Sequence, residues 1–293
     1  MTLVNAGAAD WFNVQGEEEA ASRDKRGGTL GLTVGISMLV AMLIMGIAVP
    51  LLSPYGRDDF VGMPFSPPSG EFLFGTDQLG RDVFTRVFAS VYLDLGVAFL
   101  GVILPFLIGS IIGIVYGLSR NKTFNNVLGT VIDAINAFPL LVLAIALAAL
   151  LGPGLSTIIL ALTVTNWARY ARIARTRTLV IGSQGYIEAT QVLGYSKTRR
   201  LFKHFMPNVT SESIAYALSD LILVIMLIAG LSFLGFGAPP PTPEWGAMIS
   251  EGRPAIQVAP WTVLFPGAAL CWAGISLSFI AEGYIARQSD GKS

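Results

Sequence analysis

Long uninterrupted apolar blocks constrain this chain more than any other feature. The first is "TLGLTVGISMLVAMLIMGIAVPLL", residues 29–52. A helix that crosses the hydrocarbon layer needs about 20 mostly apolar residues. Six segments meet or approach that length, at 29–52, 91–118, 127–151, 155–168, 214–236 and 260–285. Only 13% of the chain is charged and 53% is hydrophobic, whereas a soluble domain carries about 25% charged residues. The expected fold class is therefore all-α and integral to the membrane, with six transmembrane helices. The fourth segment is the weakest. It spans if its helix continues through "ARYARIARTR" and its arginines extend their head groups to the interface.

Sidedness follows from the basic residues, which concentrate on the cytoplasmic side of membrane proteins. With the N-terminus inside, fifteen of the 19 lysines and arginines fall in cytoplasmic segments. Only Arg57, Arg81, Arg86 and Arg253 fall outside. Adding or removing one span spoils this asymmetry, so both termini are expected in the cytoplasm of a multi-pass protein of the bacterial inner membrane. Residues 1–28 are polar and expected to be disordered, and 29–53 read as a retained anchor rather than a cleaved signal. An extracytoplasmic segment at 54–90, a five-helix core at 91–286 and a cytoplasmic tail at 287–293 complete the division. The formal net charge is zero, which gives no reason to expect a nucleic-acid partner. The lipid bilayer is the partner that composition does imply.

Several polar groups interrupt the spans. Asp94 lies near the outer end of the second, and Asp133 and Asn136 lie near the inner end of the third. Ionisable residues within spans are costly and often line a pathway, so Asp133 and Asn136 are candidate pathway or gate residues; interfacial packing is the competing reading. Pro105 and Pro139 remove backbone hydrogen bonds and are expected to kink or break their helices. Gly109, Gly113 and Gly117 recur every fourth residue, a stripe that permits close helix packing. Cys271 sits in an apolar run and reads as a small buried hydrophobe.

The most informative stretch is the basic interruption "EATQVLGYSKTRRLFKHFMPN", residues 188–208. Each half favours a helix. Gly194 between them allows a backbone turn that other residues resist, and Pro207 with Asn208 is expected to end the second helix before the fifth span. Leu201, Phe202 and Phe205 supply an apolar face, and Lys197, Arg199, Arg200 and Lys203 stay exposed. Three readings compete: a segment resting on anionic lipid, a helical knob for a soluble partner's groove, and an enzymatic loop.

The spacing of that stretch resembles the coupling loop of permease subunits in binding-protein-dependent ABC importers. Glu188, Ala189 and Thr190 match its Glu-Ala-Ala start, Gly194 its glycine, and Pro207-Asn208 its end; Thr190 departs from the usual alanine. "LFGTDQLGRDVFTRV" at 73–87 and "GLSFLGFGAPPPTPEWGAMISEGR" at 230–253 resemble the C-type permease subunit of the oligopeptide/dipeptide/nickel family. That resemblance implies a type I ABC importer permease fold with a cytoplasmic coupling-helix loop at 184–208. It also implies a heterodimer with a second permease subunit, two ATPase subunits docked on the loop, and an extracytoplasmic substrate-binding protein. Arg199, Arg200 and His204 join the coupling set on this reading. No G-x-x-x-x-G-K-[ST] phosphate loop occurs, so the chain is not expected to be an enzyme, and ATP and Mg are expected on the partner subunits. No Cys/His cluster suggests a metal site.

Peptides are the substrate class the resemblance favours, ahead of nickel or other metal chelates and other small solutes. Asp77, Arg81, Asp82, Glu244, Trp245, Glu251 and Arg253 are candidate contacts for the binding protein; local salt bridging is the competing reading. A membrane scaffold or receptor with a lipid-binding loop is the alternative of a different class. A secondary transporter is disfavoured by the scarcity of ionisable groups in the spans.

Overall fold

The computed structural model describes residues 6–290. Helix α1 runs Ala6–Leu52, so helix begins within the segment expected to be an unstructured tail, where the run "GEEEAA" is rich in helix-favouring residues. The residues from Gly28 to Leu52 are the apolar part, long enough to cross a membrane. A short helix, α2 (Val83–Ala89), leads through Ser90 into α3 (Val91–Leu118). Then come α4 (Lys122–Ala137), α5 (Leu140–Leu151) and α6 (Leu155–Gly182). The basic loop contributes α7 (Gly185–Val192), α8 (Lys197–Arg200) and a π-helical turn at Leu201–Phe205. Helix α9 (Met206–Phe233), α10 (Trp245–Gly252) and α11 (Trp261–Asp290) complete the fold. It is all-helical among the described residues.

Four helical segments are long and apolar enough to span: Gly28–Leu52, Val83–Leu118, Thr198–Phe233 and Trp261–Gln288. The 127–151 segment is broken at Pro139, where a kink or break is expected. It breaks between Ala137 and Leu140 with a bend of 91°. The cause is Pro139, which pushes the residue before it out of the helical region; Phe138 sits at φ −82°, ψ 137°. By contrast α3 continues through Pro105. Helix α6 continues through "ARYARIARTR" as expected, and its 28 residues give a length of about 42 Å. Its arginine-rich half sets it apart from the four apolar spans.

Helices α3 and α6 form the most extensive pair, with α9 against both and α1 laid along α11. The glycine stripe explains the first contact. A Cβ added at Gly109 would lie 2.3 Å from the Trp167 carbonyl oxygen, and one at Gly113 would lie 2.3 Å from that of Ala171. The α5–α6 connection at Gly152–Gly154 is as short as expected, and the Gly154 N–H donates to the Phe236 carbonyl at 3.1 Å. Cys271 is exposed on α11, not buried as expected, because an apolar run in a spanning helix covers its outward face as well as its inward one.

The 54–90 segment folds back on itself without strands. Val61 N–H and Gly62 N–H both donate to the Gly80 carbonyl, at 2.9 and 3.1 Å. Gly80 sits at φ +76°, and a Cβ there would lie 2.1 Å from the Gly62 carbonyl oxygen, so only glycine fits.

Candidate functional site

The basic loop hangs from the ends of α6 and α9. Two residues, Ser183 and Gln184, separate α6 from α7. Ile187 is buried with Ile181, Phe205, Val209, Ala174 and Ile114, which pins α7 to the helix ends. The opposite face of α7 is open: Glu188 and Ala189 are exposed, and Val192 and Leu193 are 89% and 71% accessible. Thr190 is buried, its hydroxyl donating to the Ile187 carbonyl at 2.6 Å. The hydroxyl is thus satisfied inside its own turn.

Gly194 ends α7 in the left-handed region, at φ +72°. The Tyr195 N–H donates to the Thr190 carbonyl at 3.0 Å, the wrap-around bond of a glycine-terminated helix. No atom stands within 4 Å of an added Cβ. Glycine is required by backbone angle here and not by space. Ser196 then starts the next helix, its hydroxyl oxygen accepting from the Arg199 N–H at 3.2 Å. The Arg199 guanidinium covers the Tyr195 ring at 4.1 Å. His204 has ring centroids of Tyr186 and Tyr195 at 6.0 Å each, and Arg200 is half-buried.

Pro207 and Asn208 do not end this helix, contrary to expectation; residues Thr198–Phe233 form one continuous helix. The π turn is the physical reason. The Met206 N–H bonds back to Leu201, and this wider turn just before the proline sits where α-helical hydrogen bonding would be interrupted. The Asn208 amide donates to the His204 carbonyl at 2.7 Å. The loop's second half is thus rigidly continuous with a spanning helix. Phe202 is a further correction: Phe205 is buried and Leu201 half-buried, but Phe202 is 61% exposed.

Asp133 and Asn136 lie on α4 before the break. Asp133 accepts from Arg172 at 2.6 Å in an exposed pair. Asn136 donates to Ile132 in its own helix at 2.9 Å. It also lines a small cavity with Phe138, Leu140, Thr165 and Arg169. A polar cluster that no motif marks lies next to it. The Tyr170 hydroxyl donates to Asp220 at 2.8 Å, both buried, and Arg169 lies close to Asp220 and Tyr216. The available signal was Asp220 itself, an acid inside the apolar run of 214–236. Asn166, also buried, has no hydrogen-bond partner for its side chain.

The charges expected to meet a binding protein turn inward. Arg81, 2% exposed, bonds Asp77 at 2.6 Å and Glu251 at 2.9 Å. Arg86 bonds Asp58 and the Arg57 and Pro241 carbonyls. Asp82 caps α2, accepting from the Thr85 N–H at 2.8 Å and its hydroxyl at 2.7 Å. Trp245 is fully buried, its indole donating to Val87 at 2.9 Å and its N–H to Asp94 at 3.2 Å. Buried Glu244 accepts from the Ala238 N–H at 3.2 Å, and burial raises its carboxyl above the usual range. Asp77, Arg81, Asp82, Glu244 and Trp245 therefore brace the fold, and Glu251 shares in that bracing. Of the seven, Arg253 is the exposed one.

Residues 106–289 match the family described as binding-protein-dependent transport system inner membrane component. A putative peptide transport system permease protein of Brucella suis is 35% identical over 252 residues, covering 85% of this chain and 84% of that protein. The oligopeptide transport system permease protein OppC of Bacillus subtilis is 34% identical, covering 85% and 82%. The dipeptide transport system permease protein DppC of Alkalihalophilus pseudofirmus gives the same identity and coverage. Among solved structures, the MetNI methionine ABC transporter in inward-facing conformations matches with a TM-score of 0.54 at 19% identity, over 69% of this chain and 95% of that one. An amino acid ABC transporter matches at 0.52 and 17% identity, over 71% and 94%. At such identities the likeness to the solved structures concerns the fold.

Proposed function

The chain belongs to the family of binding-protein-dependent transport system inner membrane components, and from that premise we propose that it forms half of the pathway of an ATP-driven importer of peptides. It acts with a second permease subunit, two ATPase subunits and an extracytoplasmic binding protein. Both termini and the basic loop face the cytoplasm in this reading. ATP and Mg are bound by the ATPase subunits, and this chain performs no hydrolysis. The peptide assignment is supported by the names of the relatives, which concern peptides, oligopeptides and dipeptides.

The observation that carries the coupling role is the loop's construction. Its exposed side presents Glu188, Ala189, Val192, Leu193 and Phe202, a mixed apolar surface of the kind that seats in a partner's groove. Its buried side is fixed to α6 by Ile187 and merges into α9 through Phe205. Closure of the ATPase pair on bound ATP draws the docked loops together and reorients the helices continuous with them; hydrolysis resets the arrangement. Gly194 holds the turn, and Arg199, Arg200 and His204 shape the adjoining surface.

The test is the assembled complex in proteoliposomes, with peptide uptake and peptide-stimulated ATPase activity measured together. Gly194→Arg, which places a bulky chain at a left-handed backbone position, is expected to abolish uptake and to lose at least the stimulated part of hydrolysis. Normal values of both overturn the coupling role. Failure of ATPase subunits to co-purify with the wild-type chain overturns the importer reading itself.

A further inference from the structure

Helix α4 carries its polar and apolar residues on separate flanks. Asn126, Thr130 and Asp133 recur at the i, i+4, i+7 spacing of one helix face, and all three are exposed. Phe124, Val127 and Val131 form a second, apolar flank that is also exposed. Ile132, on the third side, is buried with Tyr116 of α3 and Ala168 and Ala171 of α6, which seats the helix.

The polar flank continues onto α6. Asp133 and Arg172 form an ion pair at 2.6 Å while 73% and 55% of their side chains stay exposed, and exposed Thr176 follows one turn after Arg172. Arg172 lies 17 residues from the Leu155 end of α6, at most about 25 Å along the axis. The hydrocarbon layer is about 30 Å thick, so the pair stands within that thickness. Charged groups at such depth face water or protein and not lipid. Protein is the poorer fit, because charges are depleted from the centres of subunit interfaces, and the apolar flank is the one suited to a second permease. An exposed ion pair contributes little to stability, so it parts at small cost. The bend of 91° after Ala137 uncouples α4 from α5 and leaves it room to do so.

We propose, resting on the importer reading above, that this pair is where the pathway holds the two charged ends of a peptide. Asp133 accepts from the terminal ammonium and the Arg172 guanidinium donates to the terminal carboxylate. The charges are complementary: the pair and a peptide with free ends each carry one cation and one anion, so one ion pair is exchanged for two. The ends of an extended dipeptide lie about 7 Å apart, a gap that the long Arg172 side chain opens by swinging away from Asp133.

The test uses the assembled complex with its binding protein in proteoliposomes and one peptide in three forms: free at both ends, C-terminally amidated, and N-terminally acetylated. Uptake by each variant is divided by wild-type uptake of the same form, which cancels the binding protein's own preference. Arg172→Gln is expected to lower uptake of the free peptide about tenfold, as loss of a charged hydrogen bond does, and to leave the amidated form near its wild-type value. Asp133→Asn is expected to separate the free from the acetylated form in the same way. A photo-reactive amino acid at position 130 supplies a second readout that needs no capped peptide. It is expected to label free peptide during turnover, and Arg172→Gln to weaken that labelling. Equal losses for all three forms mark a merely structural ion pair and overturn the proposal, as does recovery of all three when Asp133→Arg is combined with Arg172→Asp. Unchanged uptake in both single variants, or labelling of lipid or the second permease alone, overturns it too. Absence of free-peptide uptake by the wild-type complex instead overturns the importer reading, and this proposal with it.

Discussion

Gly113→Ala is a one-carbon change whose cost can be worked from the α3–α6 contact. The new Cβ would stand 2.3 Å from the Ala171 carbonyl oxygen, 2.7 Å from the Ala174 Cβ and 3.0 Å from the Ala171 carbonyl carbon. Ordinary contact needs about 3.5 Å or more, so the two helices must part locally by about 1 Å. Nothing flexible can yield, because the opposing atoms are backbone and an alanine Cβ, and Ala171 and Ala174 are both fully buried. Overpacking of this kind costs about 1–3 kcal/mol. Gly96→Ala, on the same helix with no atom within 4 Å of its added Cβ, is the matched control. It should gain up to about 1 kcal/mol from helix propensity. The two variants should therefore differ by about 1–4 kcal/mol. At about 2–4 °C per kcal/mol for a chain of this size, their thermal melts in detergent should lie roughly 2–16 °C apart. Coincident melts would refute the claim that backbone-to-backbone proximity, and not side-chain packing, sets this interface.

Two further outcomes follow from the bracing beneath α10. Arg81→Met removes the cation shared by Asp77 and Glu251, leaving Glu251 without that partner and Asp77 with Arg86 alone, at 3.6 Å. A loss of about 3–5 kcal/mol is expected, read as lower folded yield and an earlier melt; an unchanged melt refutes it. Glu244 titrates with the opposite sign from a salt-bridged acid. Its folded pKa is raised by burial, so the folded chain holds this proton more tightly than the unfolded one. Its contribution to stability therefore rises as pH falls through the folded pKa, and levels off below the ordinary carboxylate value. Glu244→Gln should flatten that part of the melting profile between pH 8 and 4, whereas parallel profiles for the two proteins would exclude it.

The apolar runs made the spans legible, because in lipid a segment's length and hydrophobicity are themselves the structural constraint. The break at Phe138–Pro139 and the turn at Gly194 were legible for a related reason, since both depend on backbone properties of a single residue. Thr190 departs from the usual alanine, and its hydroxyl is satisfied within its own turn. What the sequence could not disclose is pairing over distance. Arg81 reads as a surface charge at the mouth until Glu251, 170 positions away, is seen beside it. The same holds for Trp245, whose indole partner Val87 is 158 positions distant. Pro207 misled for a local reason. Its rule presumes α-helical hydrogen bonding, and the π turn at Leu201–Phe205 escapes that premise.

These contacts divide the molecule mechanically. Opposite the basic loop, buried ion pairs, the Trp245 anchor and the stacked Phe74–Phe265 rings, 3.7 Å apart, tie the segment before α2 together with α2, α3, α10 and α11. Along the bundle, α3 and α6 touch backbone to backbone and cannot slide without loss of packing. At the loop end, Ile187 and Phe205 join α7 to α6 and α9, and Arg177 pairs with Glu212 between those two helices. A force applied to the loop thus reaches α6 and α9 together, and α3 must follow α6. Helices α4 and α5 are held differently. Their buried residues are only Ile132 in the first and Ala144 and Ala148 in the second, and Pro139 has already removed the hydrogen bonds that would make them one rod. Relative motion between α6 and the α4–α5 pair is therefore cheapest at 137–140, where Asn136 and Arg169 line one small cavity.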